Sequence, residues 1–338
     1  MNKPVFTFFN NKGGVGKTTL VYHVAHMFAE LGISTLAVDC DPQANLTAAF
    51  IDDKTLESLW EDAGRRPRTI YRAVQPMIRK GDFEPVEVQT INSNLHLIAG
   101  DLGLSSFEDH LSEHWSKAND ENPDTYSKAF DILTAFWRCA QQAADECQAK
   151  IIIFDIGPNL GAINRSVLLG TDQVIVPLAA DLFSLKGLQN LGPALKGWHQ
   201  SWSAKRQKPF SEYELPQGKM HVLGYVAMQH QERLYRPVQA YKKWVERIPA
   251  DYRRYILGVT EQTVPTIEQD PYALALLRHY KSIVPIGQEA RKPIFSLKTA
   301  DGVSGSQLTT VGQAYKDFRA LALNILNKSN LTSLLPQS

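Results

Sequence analysis

The chain alternates short, wholly apolar runs with longer segments in which apolar positions recur at helical spacing. The runs are rich in β-branched and aromatic residues and predict buried strands over residues 5–9, 35–38, 95–99, 151–154, 173–177, 222–227 and 282–286. The clearest helix is predicted over residues 18–31, with Gly32 at its stop position. Apolar strands separated by helices are typical of an α/β fold with a doubly wound, mainly parallel sheet flanked by helices.

Two polar segments and the C-terminal tail interrupt this alternation. Residues 101–124 contain seven acidic residues and one lysine, so we expect an exposed excursion there. Residues 200–220 are largely polar and contain two prolines, which indicates a long surface loop. The sequence therefore predicts one domain over residues 1–330, with insertions near 52–130 and 200–220, followed by a frayed tail over 331–338.

Composition narrows the classes of protein. Among 338 residues, 36 Lys and Arg accompany 35 Asp and Glu, so affinity for nucleic acid must come from local patches rather than net charge. The three cysteines match no metal-ligand spacing and cannot all pair, which favours a reducing compartment such as the cytoplasm. The N-terminal apolar run is too short for a signal peptide, and no apolar stretch reaches the roughly twenty residues of a membrane span.

A glycine-rich segment lies between the first predicted strand and the first predicted helix, the context that a phosphate-binding loop requires. Glycines allow backbone N–H groups to turn towards phosphates, and the helix N-terminus adds partial positive charge. Lys17 is placed to reach the β- and γ-phosphate oxygens, and the Thr18 hydroxyl to ligate Mg²⁺. The segment departs from the strict G-x-x-x-x-G-K-T pattern because Asn11 occupies the position of the first glycine.

The string KGGVGKTT, residues 12–19, resembles the deviant Walker A motif of the ParA and MinD ATPases, which are P-loop NTPases. That family has a second, signature lysine near the start of the motif, here Lys12. The resemblance implies an ATP-dependent homodimer in which Lys12 reaches the partner's nucleotide, much as an arginine finger does. The predicted nucleotide-binding residues are Lys12, Gly13, Gly14, Val15, Gly16, Lys17, Thr18 and Thr19.

A second match is VDCDPQAN, residues 38–45, at the end of the second predicted strand. The turn imposed by Pro42 can bring the carboxylates of Asp39 and Asp41 towards the phosphates. The segment is similar to the A′ motif of the same family. The resemblance assigns Asp41 to orienting the attacking water and Asp39 to the outer coordination of Mg²⁺ through water. With it, the predicted catalytic residues are Lys12, Lys17 and Asp41.

A third match is the apolar run at residues 151–154, which delivers Asp155 to the carboxyl end of a predicted strand. Ligands bind at that edge in open α/β sheets. The run resembles a Walker B strand, which implies that Asp155 holds a Mg²⁺-bound water. Ile156 and Gly157 depart from the D-T-P-P that is common in the family at this point.

Basic residues are concentrated in the C-terminal third of the chain. Residues 233–254 hold seven Lys or Arg and two acids, a local charge of +5. The ParA resemblance implies that the ATP-bound dimer binds double-stranded DNA without sequence preference through this half. Such phosphate contacts need only cations that share a face. The candidate DNA-binding residues are Arg236, Lys242, Lys243 and Arg247.

A further basic run covers residues 65–80 and contains six Lys or Arg without an acid. It would either extend the DNA surface or pair with the acidic residues 101–124 of the same chain. Intramolecular pairing is favoured, because solvated or internally paired charges are the ordinary state of such residues.

The resemblance implies a Mg²⁺-dependent partition ATPase that acts on the nucleoid in the cytoplasm, with a ParB-like adaptor and a plasmid, chromosome region or other cargo. The main alternative, a MinD-like membrane-cycling regulator, would need a basic amphipathic C-terminal helix, yet the polar side of residues 320–326 is not lysine-rich. A nitrogenase iron protein type would need paired cluster cysteines, whereas Cys139 and Cys147 are eight residues apart on a predicted helix. Asp41 and Lys12 argue against a scaffold that holds nucleotide without hydrolysis.

Overall fold

The computed structural model describes residues 2–61, 66–228, 238–261, 263–280 and 282–336. Within them, one sheet contains eight strands: β1 Val5–Phe8, β2 Thr35–Asp39, β3 Gln89–Asn92, β4 Leu95–Ile98, β5 Ile151–Asp155, β6 Gln173–Ala179, β7 His221–Met228 and β8 Ala273–Leu277. Their order is β3-β4-β2-β5-β1-β6-β7-β8. Only the β3–β4 pair among these described strands is antiparallel.

Helices cover both faces of the sheet. The α-helices are α1 Lys17–Glu30, α2 Asn45–Phe50, α3 Asp53–Trp60, α4 Ile70–Val74, α5 Met77–Lys80, α6 Glu108–Lys117, α7 Pro123–Leu133, α8 Ala135–Glu146, α9 Ala162–Leu169, α10 Leu182–Lys205, α11 Val238–Val245, α12 Ile248–Tyr252, α13 Val284–Ala290 and α14 Ser306–Lys328. Shorter 3₁₀ helices cover Leu102–Phe107, Ile294–Ser296, Thr299–Asp301 and Thr332–Leu334, and a π-helix covers Arg253–Leu257.

Two apolar cores lie on opposite faces of the sheet. One packs Phe130, Phe136 and Trp202 of α7, α8 and α10 against β5 and β6. The other packs Leu20 and Phe28 of α1, together with the apolar face of α14, against β1 and β2. The central strands are buried on both faces, which explains why their sequences are continuously apolar. The predicted α/β fold with a doubly wound, mainly parallel sheet is confirmed.

The last predicted strand is wrong. Residues 282–286 enter α13, and the eighth strand is Ala273–Leu277. Pro285 lies in the first turn of α13, where its missing N–H breaks no helical hydrogen bond. Strand β3 was not predicted, because an edge strand with alternating exposure has no continuous apolar run.

Residues 101–124 are more ordered than the predicted exposed excursion. They form the 3₁₀ helix Leu102–Phe107, α6 and the start of α7. Leu104, Phe107 and Leu111 are fully buried. Their spacing of three and four residues places them on one helical face, while five of the seven acids of the segment are exposed. Acidic composition therefore concealed a packed segment.

The predicted loop 200–220 begins later than expected, because α10 continues to Lys205. Trp202 is fully buried, and its Nε1 donates to the Pro216 carbonyl at 2.8 Å. At the other end of the chain, the described part of the tail, residues 331–336, contains a 3₁₀ turn whose Leu331 and Leu334 pack on the core beside α14. None of the helices in the described ranges is both long and apolar enough to cross a bilayer.

Three arginines of the basic run 65–80 pair with acids of the same chain. Arg66 lies 3.2 Å from Glu146, and Arg68 lies 3.7 Å from Glu87. Arg72 reaches the acidic segment, with its Nε 3.5 Å from Asp101. The predicted pairing with the acidic segment 101–124 is therefore observed for Arg72, whereas Arg66 and Arg68 pair with acids outside that segment. Arg65 lies outside the described residues.

Candidate functional site

The glycine-rich loop connects the end of β1 to the start of α1. Gly14 and Gly16 have φ angles of +71° and +85°, a region that favours glycine because a Cβ would be strained there. Asn10 anchors the loop to β6, since its Nδ2 donates to the Pro177 carbonyl at 2.7 Å. Helix α1 begins at Lys17, directly after Gly16. The loop and the positive end of α1 therefore lie at the carboxyl edge of the sheet.

A cavity of about 770 Å³ opens beside this loop, within the range of roughly 300–1,000 Å³ that is usual for small-molecule sites. Its lining also includes the apolar side chains of Leu277 and of Met228, which lies against Gly16, at the ends of β8 and β7. The predicted site residues that line it are Gly13, Gly14, Gly16, Lys17, Thr18, Thr19 and Asp41. The cavity thus offers polar groups suited to phosphates together with apolar side chains suited to a planar base.

Two carboxylates meet at the ends of β2 and β5, because Asp39 and Asp155 are partners in the parallel register. Both residues are fully buried. Asp39 accepts hydrogen bonds from the Thr47 N–H at 2.8 Å and the Thr47 hydroxyl at 2.7 Å. Burial nevertheless raises the pKa of Asp39 to about 6. Burial, and next the charge of Asp39, raises the pKa of Asp155 well above its ordinary value.

Asp155 has oxygen atoms to offer a ligand. Both of its carboxyl oxygens are buried and have no hydrogen-bond partner among the described residues. The Thr18 hydroxyl is nevertheless close enough to lower the pKa of Asp155 slightly against the effect of burial. A buried carboxylate without donors is costly unless a cation satisfies it. Asp155, Thr18 and the water-mediated partner Asp39 are oxygen ligands of the kind that Mg²⁺ prefers. The residues present therefore fit a hydrated Mg²⁺ ion.

Lys17 and Asp41 also line the cavity, and each is 7% exposed. The Lys17 ammonium donates to the Lys12 carbonyl at 3.3 Å. Burial lowers the pKa of Lys17, and the nearby charges of Asp155 and Asp41 oppose that shift. A Cβ built on Gly157 would lie 3.5 Å from Asp41 Oδ1, so Asp41 faces the start of the loop 157–161. This geometry allows Lys17 to hold a phosphate while Asp41 accepts a hydrogen bond from water.

Lys12 and Val15 differ from the other loop residues. The Lys12 ammonium lies 2.5 Å from Asp181 Oδ2 and 3.4 Å from the Ser184 hydroxyl of the same chain. Asp181 is the N-cap of α10, because its Oδ1 accepts the Ser184 N–H at 2.8 Å. Val15 is fully buried beneath the loop. In a single protomer the signature lysine is therefore paired internally, and its role across a dimer stays a prediction.

A buried histidine joins helix α1 to Ile294, another residue that lines the cavity. His23 Nδ1 lies 2.7 Å from the Thr19 carbonyl, and Nε2 lies 3.2 Å from the Ile294 N–H. Its ring stacks on Phe318 at 4.7 Å between centroids. Burial lowers the pKa of His23 to about 4, so the neutral ring donates from Nδ1 and accepts at Nε2. His23 therefore fixes the wall segment at residue 294 relative to α1.

The candidate DNA-binding residues lie on and beside α11. Lys242, Lys243 and Arg247 are exposed, whereas Arg236 lies outside the described residues. Lys242 and Arg247 each pair with an acid four residues later, at 3.7 Å and 3.3 Å. Lys243 and Arg247 also lie 5.5 Å and 5.1 Å from the Trp244 ring centroid. Such exposed pairs contribute little energy, so these cations remain available to a phosphate backbone.

A buried ion pair anchors this basic segment to the sheet. Arg253, in the π-helix, donates to Asp270 through Nη1 at 2.9 Å and Nη2 at 3.0 Å. Tyr225 of β7 donates its hydroxyl to the same carboxylate at 2.7 Å. On the other side, Gln189 of α10 donates to the Tyr255 hydroxyl at 2.8 Å. The basic segment is thus connected both to the sheet and to α10.

Thr47 and Asp181 are site residues that the sequence did not reveal. Each acts on a motif residue through tertiary contact: Thr47 on Asp39, and Asp181 on Lys12. Thr47 lies eight residues after Asp39, and Asp181 lies 169 residues after Lys12. Neither spacing belongs to a local pattern, so only the fold brings these residues together.

Comparisons with known proteins agree with this geometry. The family model AAA_31, an AAA domain, matches residues 3–207. The chromosome-partitioning ATPase Soj of Thermus thermophilus is 25% identical over 182 residues, or 54% of this chain and 57% of Soj. Curated relatives are covered over 42% to 70% of their own length.

Solved structures extend the likeness of the fold to almost the whole chain. Protein DIP2308 from Corynebacterium diphtheriae has a TM-score of 0.67 at 24% identity, over 96% of this chain and 98% of that one. A Cyanothece McdA–ATP complex has a TM-score of 0.51 at 18% identity, over 90% and 98% of the two chains. With a family model that matches more than half of its residues, the chain belongs to the AAA_31 family of AAA domains and is of the ParA/MinD type.

Proposed function

We propose that the chain is a partition-type ATPase. It binds ATP with Mg²⁺, forms a homodimer in the ATP state, binds double-stranded DNA without sequence preference, and releases DNA after hydrolysis. The observation that carries the proposal is the meeting of Lys17, Thr18, Asp39, Asp41 and Asp155 at one sheet edge beside a 770 Å³ cavity. The partitioning role of Soj and the bound ATP of McdA support it.

Each residue has a chemical task in this proposal. The loop N–H groups and Lys17 bind and orient the phosphates, and Asp41 orients the attacking water. Thr18 ligates Mg²⁺ directly, while Asp39 and Asp155 hold water in its coordination shell. When bound, Mg²⁺ supplies positive charge that stabilises the transferring phosphoryl group. Lys12 of each protomer adds a cation to the partner's nucleotide, which makes hydrolysis depend on dimerisation.

The basic segment gives the proposal its DNA-binding face. Lys242, Lys243 and Arg247 share an exposed region that is attached to α10 and β7. Cations on one face without base-reading groups are sufficient for non-specific binding. We place the active protein in the cytoplasm on the nucleoid, where a ParB-like adaptor would couple its cycle to a plasmid, chromosome region or other cargo.

The membrane-cycling alternative finds less support. Leu321, Ala322, Ile325 and Leu326 of α14 are all fully buried in the core against α1. The apolar face of this helix is therefore already used and does not offer a lipid-binding surface.

Phosphate release tests the enzymatic part of the proposal. The wild-type chain should release phosphate from ATP with Mg²⁺ and not with EDTA. Lys17→Ala should abolish this activity, because the phosphates lose their buried cation. Equal release from wild type and Lys17→Ala would contradict the assigned site.

A DNA titration tests the binding part. Lys243→Glu with Arg247→Glu should weaken ATP-dependent binding of random-sequence duplex by at least about tenfold and reduce its salt dependence. Lys128→Glu with Lys150→Glu is a charge-matched control at exposed positions outside the basic segment. Binding is measured without nucleotide, with ADP and with ATP–Mg²⁺ at two salt concentrations. Undiminished binding by the first variant would move the DNA surface elsewhere, and no binding by wild type would refute the DNA-tethered function.

A further inference from the structure

Glu108, the first residue of α6, caps a helix that belongs to a distant part of the chain. Its carboxylate accepts the N–H of Ala162 through Oε1 and the N–H of Ile163 through Oε2, the latter at 2.9 Å. These are the first two residues of α9, whose own N-cap residue, Gly161, provides no side-chain cap. The first N–H groups of a helix lack internal partners, and a negative charge suits that end. Glu108 therefore supplies from α6 the cap that α9 lacks.

The first turn of α9 in turn holds the loop 157–161. Asn164 donates its Nδ2 to the Gly157 carbonyl at 2.8 Å and to the Asn159 carbonyl at 2.7 Å. Gly157 is the residue that Asp41 faces. A shift of the first turn of α9 would thus move the loop beside the water-orienting carboxylate.

The segment 100–108, here called the strap, is tied to the other side of the same site. The Gly100 N–H donates to the Thr47 hydroxyl at 2.8 Å, and that hydroxyl donates to Asp39 at 2.7 Å. Asp101 is held by the Thr69 hydroxyl at 2.8 Å. The strap consequently begins beside Asp39 at the end of β2 and ends at Glu108, whose carboxylate caps α9 just after the loop that follows β5.

We propose that Glu108 is a positioning residue for ATP hydrolysis, which holds the loop 157–161 against Asp41 through the two amides at the start of α9. This inference rests on the proposed ATPase function. It assigns to residues 101–117 the task of fixing the geometry of the hydrolytic water rather than of binding nucleotide. Among the described residues, neither the glycine loop nor Lys17 shares a hydrogen bond with Glu108, so nucleotide affinity should not depend on it.

The test compares Glu108→Ala, Glu108→Gln and Asn122→Ala in the full chain. Asn122 is the matched control, because it caps α7 in the same region through the N–H groups of Asp124 and Thr125. Hydrogen exchange of residues 157–165 in the ligand-free protein reports the position of the loop. Single-turnover ATP hydrolysis and binding of a non-hydrolysable ATP analogue separate turnover from affinity.

Glu108→Ala should accelerate exchange in residues 157–165 and slow hydrolysis about tenfold, while analogue affinity stays within about twofold. Glu108→Gln, which keeps one strong acceptor, should recover part of both effects. Asn122→Ala should lower thermal stability without changing the exchange rate of residues 157–165 or the rate of hydrolysis.

Unchanged exchange in Glu108→Ala would overturn the inference, as would an equal loss of hydrolysis in Asn122→Ala. The two proposals fail separately. A wild-type chain that hydrolyses no ATP refutes the proposed function, whereas exchange in residues 157–165 still decides whether Glu108 holds the loop.

Discussion

The internal pair between Lys12 and Asp181 predicts that removal of the Asp181 charge will strengthen dimerisation. Lys12 cannot reach a partner's nucleotide while its ammonium lies 2.5 Å from Asp181 Oδ2. Asp181→Asn removes the charge and keeps an N-cap for α10, since Asn caps helices as well as Asp does. The substitution therefore acts on the pair with little effect on the helix.

The structure sets the size of the effect. The Lys12 and Asp181 side chains are 28% and 21% exposed, so the pair lies between the exposed and the buried classes. A value of about 1 kcal/mol per pair is at the upper end for exposed pairs. Closing the dimer breaks two such pairs, one in each protomer, which amounts to about 2 kcal/mol and roughly a 30-fold lower dissociation constant.

Sedimentation equilibrium with a non-hydrolysable ATP analogue and Mg²⁺ measures this constant. Lys12→Ala should leave the protein monomeric, and the double variant should match Lys12→Ala, since the charge of Asp181 matters only through its partner. Asp52→Asn, at the exposed N-cap of α3, is the control for a neutralised capping carboxylate. If Asp181→Asn dimerises as weakly as wild type or more weakly, then Asp181 does not oppose the closed dimer.

Two stability predictions follow from buried ionisable groups. Burial lowers the pKa of His23 to about 4, whereas an unfolded histidine has a pKa near 6.5. The neutral ring therefore contributes its full stabilisation above about pH 6.5, and this stabilisation is lost as the pH falls towards 4. Urea unfolding of the wild type should show the unfolding free energy fall by up to about 3 kcal/mol between about pH 6.5 and pH 4. His23→Gln should show a smaller fall, and the same pH dependence in both proteins would contradict this role. Asp270→Asn should lower the unfolding free energy by about 3 kcal/mol because Arg253 stays buried, whereas Asp251→Asn, which removes the more exposed Arg247 pair, should cost less than about 1 kcal/mol. Equal losses from these two substitutions would refute the distinction.

The sequence predicted the central strands because they are buried on both faces and therefore continuously apolar. It failed at β3 and β8, the two edge strands of the described sheet. Strand β3 alternates in exposure and has no apolar run, whereas β8, with the sequence ALALL, is apolar but has no β-branched or aromatic residue. It failed again at residues 101–124, where acids on the outer face concealed the buried spacing of Leu104, Phe107 and Leu111. The pattern of apolar residues in a sequence reflects which side chains are buried, so a strand or helix with one face exposed to solvent is harder to predict from that pattern.

The candidate site likewise contains some residues that the sequence predicted and others that it did not. Lys17, Thr18, Asp39, Asp41 and Asp155 belong to short motifs at strand ends, and the parallel topology brings them to one edge. Thr47, Glu108 and Asp181 act on these residues from other elements, and no local pattern marks them. Chemistry that depends on neighbours in sequence can be predicted from motifs, whereas the contacts that position those residues require the fold.

Helix α10 joins two places that the proposed partition cycle must coordinate. It starts next to Asp181, the partner of Lys12, and its Gly192 lies so close to the Tyr255 carbonyl that a Cβ there would come within 1.8 Å. Its 24 residues span roughly 36 Å at 1.5 Å per residue. Coupling between two binding equilibria is reciprocal. If dimer closure raises the affinity for DNA by a given factor through α10, DNA binding must favour dimer closure by the same factor. Under the proposed function, DNA would then act as an allosteric effector of dimer closure as well as the surface to which the protein binds.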